Sequence, residues 1–72
     1  MPTLYERQLG ISFLYNMMRK NVAYPYSDIV KMAEEHHISF SRIVGPALRL
    51  MVKDGTLLVR SMEGIDYYAW RA

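Results

Sequence analysis

The chain has 72 residues, a net charge of +2, 51% hydrophobic residues and no cysteine. A chain this short is read as one domain over residues 1–72, and with neither disulfides nor thiolate metal sites it needs a compact core rich in large side chains. That hydrophobic content excludes disorder, the uncharged apolar stretch over residues 9–18 is too short to cross a bilayer, and no basic region precedes an apolar run at the amino terminus, so a cytoplasmic protein without a membrane partner is expected.

Thr3, followed three residues later by Glu6, forms a capping box in which each side chain satisfies a backbone donor of the other residue. Leu9, Phe13 and Met17, flanked by Leu14 and Met18, recur at helical spacing, which predicts a first helix over residues 4–20. Gly10 weakens that helix by about 1 kcal/mol relative to Ala. Arg19 and Lys20 are expected in its last turn, where cations suit the dipole. Residues 21–26 read as a connector, since Pro25 resists helix continuation. Ser27 is the expected cap of a second helix, with Asp28 in its first turn and Ile29, Val30, Ala33 and His37 on its inner side. Ile38 then occupies a turn, Ser39 or Ser41 caps a third helix running to about Asp54, and Gly55 terminates it. Past Gly55 the pattern switches to alternation, with Leu57 and Val59 against Leu58 and Arg60. Residues 61–64 read as a four-residue turn and residues 65–71 alternate again, which predicts a hairpin. The expected fold class is α+β, mainly α, with three helices and a C-terminal two-stranded hairpin.

Charge is unevenly spread. Residues 1–38 sum to zero, residues 39–60 to +3 and residues 61–72 to −1. On a helical wheel with Arg42 at the origin, Arg49 falls at about −20°, Lys53 at about +20° and Pro46 at about +40°. Phe40, Val44, Ala47, Leu48 and Met51 fall on the far side. A helix fixed to a core by that apolar stripe presents a basic stripe to solvent. Cations so placed release counterions from phosphate, and arginine also pairs with guanine.

Residues 27–55 resemble the helix-turn-helix of winged helix-turn-helix DNA-binding domains, and residues 67–70 resemble the returning wing strand, with Tyr68 and Trp70 buried on the core. The resemblance implies that Ile29 and Ala33 pack the supporting helix and that Val44, Leu48 and Met51 pack the recognition helix. It also implies double-stranded DNA as partner, with the third helix in the major groove and the second crossing the backbone. The DNA-contacting residues so implied are Ser39, Ser41, Arg42, Gly45, Pro46, Arg49, Lys53 and Arg60. Two features depart from the family pattern. Gly45-Pro46 lies inside the expected recognition helix. Either the helix kinks there, or residues 40–44 form a separate turn and the helix proper starts with Pro46 in its first turn, which would separate Arg42 from Arg49. The wing turn also carries Glu63 and Asp66 with no cation between Arg60 and Arg71, unlike a wing that enters a minor groove.

Other chemistry finds no residues to carry it. The sequence offers no nucleophile elbow, no glycine-rich phosphate loop and no carboxylate pair beyond Glu34 and Glu35, so no catalytic residue and no cofactor are expected. His36 and His37 point about 100° apart on a helix and do not chelate together, so no metal is expected either. No small-molecule ligand is expected of a chain too small to enclose a pocket. The sequence therefore suggests a sequence-specific DNA-binding regulator of transcription that acts by occupying its site. Its size resembles that of small stand-alone regulators of prokaryotes, phages, plasmids or viruses. One module makes few contacts, so a homodimer is expected, with Tyr5, Ile65 and Tyr67 as candidate contacts. The alternatives are a protein-interaction winged helix without DNA binding and a replication or recombination accessory factor.

Overall fold

The computed structural model describes residues 3–71. Helix α1 spans Leu4–Met17 and begins on the capping box, with the Glu6 N–H donating to Thr3 Oγ1 at 3.1 Å and the Thr3 N–H to Glu6 Oε1 at 3.0 Å. It stops short of the predicted residue 20, and the cause lies far along the chain. Met18 is extended; its carbonyl accepts the Trp70 indole N–H at 2.9 Å, while the Arg19 N–H donates to the Tyr24 hydroxyl at 2.8 Å. A longer helix would have given the Arg19 N–H to the Tyr15 carbonyl, whereas the Met18 carbonyl is one of the groups that a helix end leaves open; side chains satisfy both here. Arg19 and Lys20 lie beyond the helix rather than in its last turn.

The connector contains a two-residue strand, β1 (Tyr24–Pro25), and helix α2 (Tyr26–Glu35) follows without a gap. Pro25, not Ser27, is the N-cap of α2, and no side chain caps it. Ile29 and Ala33 are buried as expected, and Val30 is half-buried. His37 is not on the inner side: α2 ends at Glu35, and His37 is exposed in the left-handed region with φ 56°.

A continuous third helix does not form. Phe40–Val44 make one π-helical turn, and helix α3 runs over Gly45–Lys53 with Pro46 in its first turn. Ser39 caps the π turn, its hydroxyl accepting the Arg42 N–H at 3.2 Å, and the Gly45 N–H closes the turn on the Phe40 carbonyl. Pro46 has no N–H for the Arg42 carbonyl and its ring crowds that carbonyl in a regular helix, so the chain widens just before it. Past Asp54, Gly55 adopts φ 87°, a left-handed stop that residues with a Cβ seldom take.

Strands β2 (Leu57–Met62) and β3 (Ile65–Trp70) pair antiparallel from Leu57–Trp70 to Met62–Ile65. The predicted four-residue turn shrinks to Glu63-Gly64, both with positive φ (52° and 78°), the geometry that favours tight hairpins. β1 pairs with the other edge of β3, giving a three-stranded antiparallel sheet in the order β1-β3-β2. Strand alternation sets Leu57, Val59, Tyr68 and Trp70 on the helix side, and Leu58, Arg60, Met62, Ile65 and Tyr67 on the outer side. The fold is α+β and mainly α, with the hairpin at its C-terminal end.

One core joins these parts. Phe13, Leu14 and Met18 meet Ile29, Ala33, Val44, Ala47, Leu48, Met51 and Leu57. Tyr68 and Trp70 pack against this cluster but stay half-buried, not buried. Leu14, Ile29, Val44 and Leu57 are the largest fully buried side chains, each contributing roughly 1.5–3 kcal/mol by leaving water. Gly10 lies where α1 crosses the π turn and α3: a Cβ there would clash with the Ile43 carbonyl oxygen and stand 2.8 Å from the Ala47 Cβ. Among the described residues, no helix is long and apolar enough to cross a membrane.

Candidate nucleic-acid interface

Helix α3 is divided lengthwise. Ala47, Leu48 and Met51 are buried, whereas Arg49, Leu50 and Lys53 are exposed and Pro46 is half-buried beside them. The spacing of residues 46, 49, 50 and 53 is the i, i+3, i+4, i+7 pattern of a single helix face. Arg49 and Lys53 therefore share a solvent-facing stripe because the opposite stripe is cemented to the core.

A third cation joins them. Arg7 of α1 lines the same depression, of about 300 Å³, as Pro46, Arg49, Leu50 and Lys53. Arg7 is not among the residues expected from the sequence, although the sequence holds one signal of it. Arg7 lies in the first turn of α1, where a cation opposes the helix dipole, so its position calls for another reason.

The remaining expected residues are placed differently. Arg42, on the π turn, is 73% exposed at its side chain yet bonded to Glu6 Oε2 at 2.8 Å, where Glu6 retains only 15% exposure. Arg42 thus lies outside helix α3, on the π turn, and Glu6 neutralises its charge. This is the one ion pair among the described residues. Glu6 itself is held below the usual carboxylate range, first by the Thr3 backbone N–H and also by the Arg42 charge, with burial acting in the other direction. Ser39 and Ser41 are exposed with their hydroxyls 3.5 Å apart, and Ser39 is the one that caps. Gly45 is buried against Phe40 and offers no surface. Arg60 is exposed on the outer side of the sheet, opposite Tyr67, and so does not converge with Arg49 and Lys53.

The hairpin brings an acid to this region. Asp66 lines a groove of about 250 Å³ together with Arg49, Lys53, Leu48, Val52, Val59 and Tyr68. Its carboxylate accepts a hydrogen bond from the Ser61 hydroxyl across the strands. The Tyr68 hydroxyl is pushed up by burial, then by the charge of Asp66 and by Tyr26. Phosphate approaching Arg49 from the hairpin side meets a carboxylate, so the open approach lies on the Arg7 side. Elsewhere, the His36 ring stands edge-on to Phe13 at 5.7 Å, with Nδ1 3.0 Å from the Met32 carbonyl. No group of three potential metal ligands occurs among the described residues.

Compared with family models, curated proteins and solved structures, the chain matches none of them. The functional reading therefore rests on the geometry of Arg7, Arg49 and Lys53.

Proposed function

We propose that the chain is a winged-helix domain that binds duplex DNA, with α3 entering the major groove. The observation that carries this reading is the convergence of Arg7, Arg49 and Lys53 on the exposed side of α3, none of them paired with a carboxylate among the described residues. Phosphates are held by such cations, and arginine alone can also fork onto a guanine edge. Ser39 and Ser41, at the start of the π turn, supply hydroxyls to a phosphate. The hairpin tip, with Glu63 and Asp66, takes no part in DNA contact. The role is that of a cytoplasmic regulator of transcription, non-catalytic and acting by occupancy of its site.

A titration of fluorescent random-sequence duplex at low salt tests this reading. Arg49→Ala weakens binding about fivefold or more, as expected for a lost phosphate or base contact. Arg60→Ala, on the outer sheet face, changes it little. Equal affinity of the Arg49→Ala chain and the parent would end the assignment of α3 as the reading helix.

A second reading, a protein-interaction module, draws on the outer sheet face, where Leu58, Met62 and Ile65 are each about half exposed. The first reading uses the same face for a second copy of the chain. Contact there leaves Arg49 and Lys53 uncovered, since they line a groove with Val59 and Tyr68 on the opposite side of the sheet.

A further inference from the structure

A second surface carries chemistry that α3 does not use. Where the end of α1 meets the base of the hairpin, Tyr15 and Trp70 stack with ring centroids 4.8 Å apart and planes 26° from parallel. Trp70 is fixed by its indole N–H on the Met18 carbonyl and packs on the core. Tyr15 is 60% exposed, so the stack presents an open aromatic surface. Beside it lies a hollow of about 380 Å³, flanked by Lys20 from the turn after α1 and Arg71 just past β3, with Gly55 and Thr56 also lining it. Neither cation has a carboxylate partner among the described residues. The adjoining carboxylate, Asp54, is engaged by Thr56, through its N–H at 2.9 Å and its hydroxyl at 2.6 Å.

We propose that this hollow binds a nucleoside 5′-phosphate unit, with the base against the Tyr15–Trp70 wall and the phosphate between Lys20 and Arg71. The two halves of the site demand the two halves of the ligand. An apolar molecule leaves both cations unanswered, and inorganic phosphate leaves the ring surface unused. Every base has a π face for an aromatic wall, and a guanidinium forks onto phosphate while an ammonium adds a point charge. The volume falls in the range of about 300–1,000 Å³ typical of small-ligand sites. The residues are separate from Arg7, Arg49 and Lys53, so this site stands whether or not α3 reads duplex DNA.

Trp70 is the only tryptophan of the chain, so its fluorescence reports on the hollow directly. Adenosine 5′-monophosphate, titrated to millimolar concentration, quenches it saturably. Adenosine, which lacks the phosphate and with it both charge-assisted bonds, binds about tenfold or more weaker than the nucleotide, and the Lys20→Gln and Arg71→Gln chains, each lacking one bond, bind the nucleotide about fivefold more weakly. Inorganic phosphate leaves the emission unchanged. Arg49→Ala binds the nucleotide like the parent, so failure of this site and failure of the α3 reading give different results. A 5′-phosphorylated single-stranded oligodeoxynucleotide that binds more tightly than the mononucleotide assigns the site to a strand end, and the reverse order assigns it to a free nucleotide. Absence of saturable quenching overturns the proposal. So does equal affinity for nucleotide and nucleoside, or undiminished binding in both glutamine variants when their melting curves match the parent's.

Discussion

The Glu6 carboxylate holds the start of α1 and the π turn together, since Oε1 accepts the Thr3 N–H and Oε2 accepts the Arg42 guanidinium. Because these partners favour its charged form, its pKa in the fold lies below that of the unfolded chain. Its contribution to stability is therefore present above the unfolded value and is lost as pH falls through the lowered folded value. Thermal melts from neutral to strongly acidic pH should show the parent losing melting temperature through that window and Glu6→Gln losing less. An equally steep acid loss in both chains would remove Glu6 from the account. At this scale the local signals were plain in the sequence. The capping box needs only residues three apart, and Ser39 and Gly55 act where cap and stop residues were expected. The pairing of Arg42 with Glu6 and the place of Arg7 were not legible, because Arg42 meets a residue 36 positions away and Arg7 meets α3 only once two helices pack.

Among the elements, the contact of α1 with the π turn and α3 depends on Gly10. Two effects of Gly10→Ala oppose each other. Alanine gains about 1 kcal/mol in helix propensity, while forcing a Cβ into filled space costs roughly 1–3 kcal/mol. Steric cost wins here, because one obstacle is the Ile43 carbonyl oxygen, part of the backbone, and cannot swing aside. The substitution should lower the melting temperature by several degrees, at about 4–8 °C per kcal/mol for a domain of this size. A variant melting at or above the parent temperature would mean that the helices are not so closely apposed. Two of the boundaries that the sequence misplaced share one cause. The early end of α1 and the strand Tyr24–Pro25 both involve Trp70, Tyr68 or Tyr67 reaching back from β3. Periodicity sees neighbours three or four residues apart, not such partners. The π turn was visible as a conflict, since Gly45-Pro46 cannot continue a helix smoothly, and the separate-turn alternative matches it.

Across the whole molecule, the modest net charge conceals a division of surfaces. One side shows Arg7, Arg49 and Lys53, another shows Tyr15, Lys20 and Arg71, and the outer sheet face shows Leu58, Met62, Ile65 and Tyr67 around Arg60. Strand β2 is also an unpaired edge with no proline and a single cation, the kind of edge that invites a partner strand. A contiguous exposed apolar patch marks a contact site, and we propose that a second copy of the chain uses this face. Sedimentation should find a dimer that Ile65→Lys dissociates. A monomer at all concentrations, or a dimer indifferent to that change, would remove the sheet face from the assembly.

The salt dependence of duplex binding tests the α3 reading most directly, because it counts displaced counterions rather than affinity alone. Three cations on phosphates give log affinity against log salt a slope of about −3, and Arg7→Ala or Lys53→Ala each makes it shallower by about 1. A slope near zero, or one that the loss of Arg7 and Lys53 together leaves unchanged, would contradict the assignment of this face to DNA.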